Sequence, residues 1–277
     1  MASGKGGNMV SSQPCLKVEK SGHVAWLVLN RPQQRNTMTM EFFEDITRCF
    51  EEFDTDPEVR VVVVRAEGKS FTAGLDLIAA QVLLGDGSAV YRDWLYRKIK
   101  ELQASMTAIE KCRKPVIAAI HGHCIGGGVD LTSACDIRIA SQDAVFSIRE
   151  TRIAIIADIG TLQRLPYIIG QGWYRELAMT GRDFTAEEAL KMGYITRLCP
   201  DRQALLEEAG KLAEEIAGLS PLTVQGVKEV ANYTRDHGLH QGLEYVAQRN
   251  ASIVPNEDMI EAVAAFLEKR TPKFKGR

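Results

Sequence analysis

Three carboxylates in the middle of the chain have the types and spacing to move protons. Asp130 follows Gly126-Gly127-Gly128, Glu150 closes Ser147-Ile148-Arg149-Glu150, and Asp158 sits inside Ile155-Ile156-Ala157-Asp158-Ile159-Gly160, at separations of 20 and 8 residues. Asp158 interrupts a nearly continuous apolar stretch, where an ionised side chain costs several kcal/mol unless it is paired or neutralised. Arg149, Arg152 or Arg164 could pair with it, or it could cap a helix that starts near Gly160-Thr161. As a set, like charges crowded among apolar residues titrate together. One member can then hold a proton while another is ionised, which is what proton transfer on a substrate requires.

The second cluster is His121-Gly122-His123-Cys124-Ile125-Gly126-Gly127-Gly128-Val129-Asp130, placed where a buried strand gives way to a helix. Glycines at such a junction let a backbone approach a ligand closely, and free amides at a helix start attract negative charge, so this is an anion or oxyanion site. Nucleotide-binding spacings fail. Gly122 is followed by a three-residue gap where the dinucleotide pattern needs one, and Val63 stands where the first glycine of a phosphate loop ending in Gly68-Lys69-Ser70 belongs. His121, His123, Cys124 and Cys135 lack a second pair with ligand spacing, so no metal is expected.

The chain of 277 residues carries 34 basic and 36 acidic side chains, a net charge of -2. No global positive field exists for nucleic acid or an anionic membrane, and no apolar run approaches the roughly 20 residues of a spanning helix. A basic stretch at Lys98, Lys100, Lys111, Arg113 and Lys114 could bind RNA, but Glu101 and Glu110 interrupt it, and a solvated face is the expectation. The six cysteines are scattered without CxxC pairs and are expected as free thiols. The Gly/Ser-rich lead-in over residues 1–14 has no apolar run, and Lys275-Gly276-Arg277 is not a Ser-Lys-Leu address, so a cytoplasmic setting is expected.

The elements that must position these groups follow from periodicity. Leu16 and Val18, then Val24, Trp26 and Val28, alternate around Ser21-Gly22 as a hairpin. Thr39 should cap a helix with Met40, Phe43, Ile46, Phe50 and Phe53 on one face. The β-branched run Val59–Arg65 reads as a strand buried on both faces. Tyr91, Leu95, Ile99, Leu102, Met106 and Ile109 mark a long helix whose stripe is core, ending before Lys114-Pro115. Val116–Ile120, Ile137–Ala140 and Ala144–Ile148 read as strands. Thr185 and Glu188 form a capping box for a helix that Gly193 ends, and the chain is helical from Gln203, with Pro221 and Pro255 close to helix starts. The organisation expected is an α/β core over 15–200 with a helical region over 201–277 in the same unit.

Asn30-Arg31-Pro32, Ser70-Phe71-Thr72-Ala73-Gly74-Leu75-Asp76-Leu77, Ile125-Gly126-Gly127-Gly128 and Leu162-Gln163-Arg164-Leu165-Pro166 together resemble the signature segments of the crotonase, or enoyl-CoA hydratase/isomerase, superfamily, from about residue 15 to the end. The resemblance implies a spiral of ββα units with a carboxy-terminal helical trimerisation region, homotrimers commonly paired into hexamers, an acyl-CoA thioester as ligand, and no cofactor. It implies an oxyanion hole from the amides of Leu75 and Gly127. Contacts to substrate or CoA are implied at Arg35, Ala73 and Asp76, with Phe266 and Lys269 closing over CoA from a neighbouring subunit. Hydratases of the superfamily have glutamates at the places of Asp130 and Glu150 and a glycine at that of Asp158. The Asp-Glu-Asp set instead resembles that of its dienoyl-CoA isomerases, which turn 3,5-dienoyl-CoA into 2,4-dienoyl-CoA in fatty-acid β-oxidation. That resemblance implies Asp158 as the base at C2, Glu150 as the acid at C6, and Asp130 tuning Glu150. A pocket lined by Ile153, Ile155 and Ile156 would keep water from the diene. A hydratase using Asp130 and Glu150 is the alternative.

Overall fold

The expected hairpin forms, with β1 (Leu16–Ser21) antiparallel to β2 (Val24–Leu29) and Leu16 opposite Leu29. The computed structural model describes residues 14–277, so the lead-in expected over 1–14 lies, but for Pro14, outside the described residues. Thr39 caps α1 (Met40–Thr55), its Oγ1 accepting the Phe42 N–H at 3.3 Å. That helix buries Phe42, Phe43, Ile46, Phe50 and Phe53. Then come β3 (Val61–Ala66), α2 (Ala89–Lys111), β4 (Val116–Ile120), β5 (His123–Ile125), α3 (Gly127–Ala134), β6 (Ile137–Ser141) and β7 (Val145–Ser147). A 3-10 turn at Glu150–Ile153 leads to α4 (Thr161–Thr180), β8 (Asp183–Thr185), α5 (Ala186–Met192) and β9 (Arg197–Cys199). The helices α6 (Arg202–Ala217), α7 (Pro221–His237), α8 (Leu239–Ile253) and α9 (Glu257–Glu268) finish the chain.

One sheet runs β1-β2-β3-β4-β6-β9, parallel from β2 onward; a smaller one runs β5-β7-β8. Successive strands β4 and β5, then β6 and β7, each feed one strand to either sheet before a helix returns the chain, so the path winds as ββα turns. The run expected to be buried on both faces is so: Val62 and Val64 enter the core with α1 and the small sheet, while Val61 and Val63 enter a second core under α6. Strand alternation assigns each face its side chains, and an unbroken β-branched run satisfies both.

Two expectations need correction. The core stripe of α2 holds only at its far end, where Leu102, Met106 and Ile109 are buried; Tyr91, Leu95 and Ile99 are only partly covered and Tyr96 is exposed. At 23 residues the helix is about 35 Å long, while a six-residue strand spans about 20 Å, so its first half overruns the sheet. The strand expected over Ala144–Ile148 is only Val145–Ser147. The Thr185–Glu188 capping box, the left-handed Gly193 and Pro221 in the first turn of α7 all form as expected. The six cysteines are buried free thiols.

Leu205 on α6 is fully buried against the second face of the sheet. Leu205→Ala should lower unfolding free energy by about 2–5 kcal/mol in a urea titration; a loss below about 0.5 kcal/mol would show that α6 does not hold that face.

Candidate active site

Leu75 owes its position to a chain crossing. The Met38 N–H donates to the Gly74 carbonyl and the Asp76 N–H to the Met38 carbonyl, both at 2.9 Å, so the intervening Leu75 turns its own amide the other way. On the far side the Ile125 N–H donates to the Thr72 carbonyl at 3.1 Å. Gly74 has φ +85°, and a methyl group built on it would stand 2.7 Å from the Ile125 carbonyl and 3.7 Å from the Gly127 nitrogen. Only glycine permits that approach. The Leu75 strand and the start of α3 thus lie side by side, and neither the Leu75 nor the Gly127 amide has a hydrogen-bond acceptor among the described residues. Two free donors beside one helix start can hold a carbonyl oxygen as it gains negative charge.

Asp130 and Glu150 stand at the helix start of this crossing, and Asp158 lies in the segment that leads to α4. Asp130, in the first turn of α3, is 1% exposed, and its Oδ1 accepts the Thr161 N–H at 2.6 Å at the start of α4. Burial pushes its carboxyl up to about 6, and the charge of Asp158 adds to the rise while Thr161 and Arg164 oppose it. Glu150 opens the 3-10 turn; its Oε1 would stand 3.2 Å from a methyl built on Gly126, and its buried Oε2 has no hydrogen-bond partner. Burial first, then the charge of Asp130, push Glu150 up to about 7. Asp158 is half-buried and raised by burial. Glu150 is therefore about half protonated near neutrality, where an ordinary glutamate has lost its proton.

Asp158 is neither paired nor a cap, contrary to the expectations that gave it a partner. Arg149 pairs with Asp183 and Arg164 with Glu110, both through contacts of 3 Å or less, and Asp158 is in none of the ion pairs among the described residues. The amide at the start of α4 goes to Asp130 from across the fold. Sequence distance hid this: the cap of one helix comes from another helix 31 residues away. Thr161 and Gln103, whose side chain holds the Asp158 carbonyl at 2.7 Å, were not singled out for the same reason.

Glu150 and Asp158 line different cavities. Glu150 shares one of about 200 Å³ with Ile155, Ile156, Leu162, Tyr174 and Met179, an apolar lining. Asp158 shares one of about 480 Å³ with Gln103, Thr107 and Gln163. Ile153, expected in the apolar lining, is outside it, and all three isoleucines are exposed, Ile156 most at 76%.

Arg35 is exposed and its carbonyl accepts the Ala73 N–H at 3.0 Å, so these two are joined through their backbones at the same crossing. The Asp76 carboxylate accepts from Thr37 Oγ1 at 3.0 Å and faces Arg31 at 3.5 Å, which anchors the loop. Phe266 is 82% exposed in the last turn of α9 and Lys269 is that helix's left-handed cap. Lys98 pairs with Glu101, Arg113 with Asp54, and Lys114 is buried, so the basic stretch is broken up. Among the described residues no group of three or more His, Cys, Asp or Glu side chains could hold a metal ion, and no helix is long and apolar enough to cross a membrane.

The pattern that defines the enoyl-CoA hydratase/isomerase family matches residues 19–277. The chain belongs to the enoyl-CoA hydratase/isomerase family. Within it, the chain is 46% identical over 266 residues to the mitochondrial Delta(3,5)-Delta(2,4)-dienoyl-CoA isomerase of Dictyostelium discoideum, covering 94% of this chain and 91% of that protein. It is 45% identical to the peroxisomal enzyme of the same name from Arabidopsis thaliana, covering 90% and 91%. The crystal structure of an enoyl-CoA hydratase from Bacillus anthracis superposes with a TM-score of 0.88 at 34% identity, covering 95% of this chain and all of that one. The crotonase fold of this family is the ββα spiral described above.

The raised Glu150 makes stability depend on pH. Its folded value of about 7 lies above the 4.5 of a free glutamate, so between those values the folded state binds more protons than the unfolded. Stability falls as pH rises through this window. Glu150→Gln should therefore melt a few degrees above the wild type at pH 8 and level with it near pH 4; equal melting at both pH values would contradict a raised Glu150.

Proposed function

We propose that this member of the family is an isomerase that converts 3,5-dienoyl-CoA thioesters to 2,4-dienoyl-CoA thioesters, as in fatty-acid β-oxidation. Carrying most weight is the third carboxylate: a half-buried Asp158 in no ion pair among the described residues, alongside a Glu150 raised to about 7. Adding water to an enoyl group calls for no such extra acid. The identities of 45–46% to relatives named as dienoyl-CoA isomerases, against 34% to one named as a hydratase, favour the same reading.

In this scheme the thioester oxygen sits between the Leu75 and Gly127 amides, each able to contribute on the order of 3 to 4 kcal/mol as charge builds on it. Asp158, ionised, takes a proton from C2. The electron pair of the broken C2–H bond shifts along the diene, giving a dienolate held by the two amides. Glu150, protonated, delivers its proton to C6, the C6–H bond forms, and the double bonds come to rest at C2 and C4. Exchange with water then returns a proton to Glu150 and removes one from Asp158. C2 and C6 are four bonds apart, about 5 Å, so two acids replace one group that would have to travel. The apolar cavity beside Glu150 suits the tail beyond C6. Asp130 repels charge on Glu150 and so helps it keep its proton. Nothing is oxidised or reduced, and the scheme calls on no cofactor.

Arg35, Ala73 and Asp76 belong to this reading as contacts to CoA or substrate, and Phe266 and Lys269 as groups that close over CoA from a neighbouring copy in a trimer or hexamer. The exposed Ile260, Phe266 and Leu267 on α9, an apolar surface unusual for a chain standing alone, support such an assembly. The relatives named above are mitochondrial and peroxisomal proteins, so they support the reaction rather than the cytoplasmic setting.

Ultraviolet absorbance on 3,5-octadienoyl-CoA tests the scheme. Asp158→Asn and Glu150→Gln should each lose about 10²–10⁴-fold in kcat with CoA binding intact. An Asp158→Asn protein with undiminished isomerase activity, or wild-type hydration of crotonyl-CoA as fast as isomerisation, would overturn it.

A further inference from the structure

Arg164 lies beside Asp158 and close enough to Asp130 for its charge to act there, with an ion pair to neither. Its Nε and Nη2 donate to Glu110 Oε2 on α2 at 3.2 and 2.9 Å, and Nη2 also reaches Thr107 at 3.4 Å. Glu110 in turn pairs with Arg235 from α7. With two nitrogens taken, Nη1 is left facing the first turn of α4: a methyl built on Gly160 would stand 1.7 Å from it. Gly160 sits between Asp158 and Thr161, whose amide holds Asp130, and the Arg164 N–H donates back to the Gly160 carbonyl at 3.1 Å. Arg164 and Asp158 line the same cavity. The guanidinium is thus wedged between an anionic clamp and the turn that carries one carboxylate and anchors another.

We propose that Arg164 is a positioning residue of this site: clamped by Glu110, it braces the 158–161 turn and supplies the positive charge beside which the buried Asp130 ionises. This rests on the isomerase reading, in which one carboxyl must stay protonated while another is ionised. Asp130 is almost fully buried, and a cation close by makes its ionised form tolerable there. The groups facing Arg164 are Glu110 on α2, Asp130 and Cys135 at the two ends of α3, Asp136 and Arg138 after it, Asp158 before α4, Tyr167 on its own helix, and Lys228, Arg235 and Asp236 on α7. Glu110 cancels part of the charge of Arg164, so Asp130 feels a restrained cation. The contact with Gly160 makes residue 160 part of the device, since any side chain there would displace the guanidinium.

Two substitutions act in opposite directions. Arg164→Met removes the cation and should move the acidic limb of the kcat/KM profile to higher pH by about half a unit or more. Glu110→Gln frees the charge of Arg164 and should move the limb to lower pH, while Arg164→Lys should return it close to the wild-type position. A brace with no electrostatic role would lower the melting temperature and the height of the profile but leave the limb in place, and that result would overturn the proposal. The infrared band of protonated carboxyls, titrated without substrate, gives a second readout: its midpoint should move up in Arg164→Met and down in Glu110→Gln. If the wild type turns over no dienoyl-CoA, the isomerase reading fails, and the infrared midpoints still decide the role of Arg164: opposite shifts support it and unmoved midpoints overturn it.

Discussion

Two backbone amides, those of Leu75 and Gly127, that have no acceptor among the described residues are the condition on which the site depends. A peptide N–H inside a protein normally finds a partner, because leaving one unpaired away from water costs free energy comparable to a lost hydrogen bond. Here the Leu75 and Gly127 amides are kept free by what surrounds them. Met38 occupies the polar groups on either side of Leu75, Thr72 and Ile125 lock the neighbouring segment, and Gly74 lets the two pass at contact distance. The ββα winding is what brings a loop after β3 against the strand-to-helix junction after β5. In the reading proposed above, stability is given up locally so that donors stand ready for an oxygen that becomes negative only during reaction.

Charge in this region is governed by burial more than by pairing. Asp130 and Glu150 are raised chiefly because water is excluded; the charge of Asp158 adds to the rise of both, and that of Asp130 to the rise of Glu150. Asp158, less enclosed, bears a smaller penalty of the same kind. The fold in this way separates three similar carboxyls into different protonation tendencies through their surroundings alone. The ion pairs of Arg149 and Arg164 with Asp183 and Glu110 leave that separation standing, since neither guanidinium bonds a member of the trio.

Much of this was legible in the residues themselves. The glycine run marked the strand-to-helix junction where the free amides lie, and the apolar stretch around Asp158 marked a carboxylate raised by burial. Strand and helix periods gave the hairpin, α1, the doubly buried β3 and the Thr185 capping box, because each depends on contacts within a few residues or on one repeating face. What escaped depends on contacts between segments. The cap of α4 comes from Asp130 on another helix, the clamp on Arg164 comes from α2, and the overrun of α2 beyond the sheet depends on strand lengths that its own periodicity does not contain. The division of Glu150 and Asp158 between two cavities is likewise set by which walls meet there.

The central claim, that a thioester activated by main-chain donors loses a proton to one carboxylate and gains one from another, is tested most directly by isotope tracing. In a single turnover of 3,5-octadienoyl-CoA carrying two deuterons at C2, in ordinary water, the account predicts a 2,4-dienoyl product with one deuteron left at C2 and none at C6. Deuterium transferred to C6 would show that a single group carries the proton from end to end, and would contradict it.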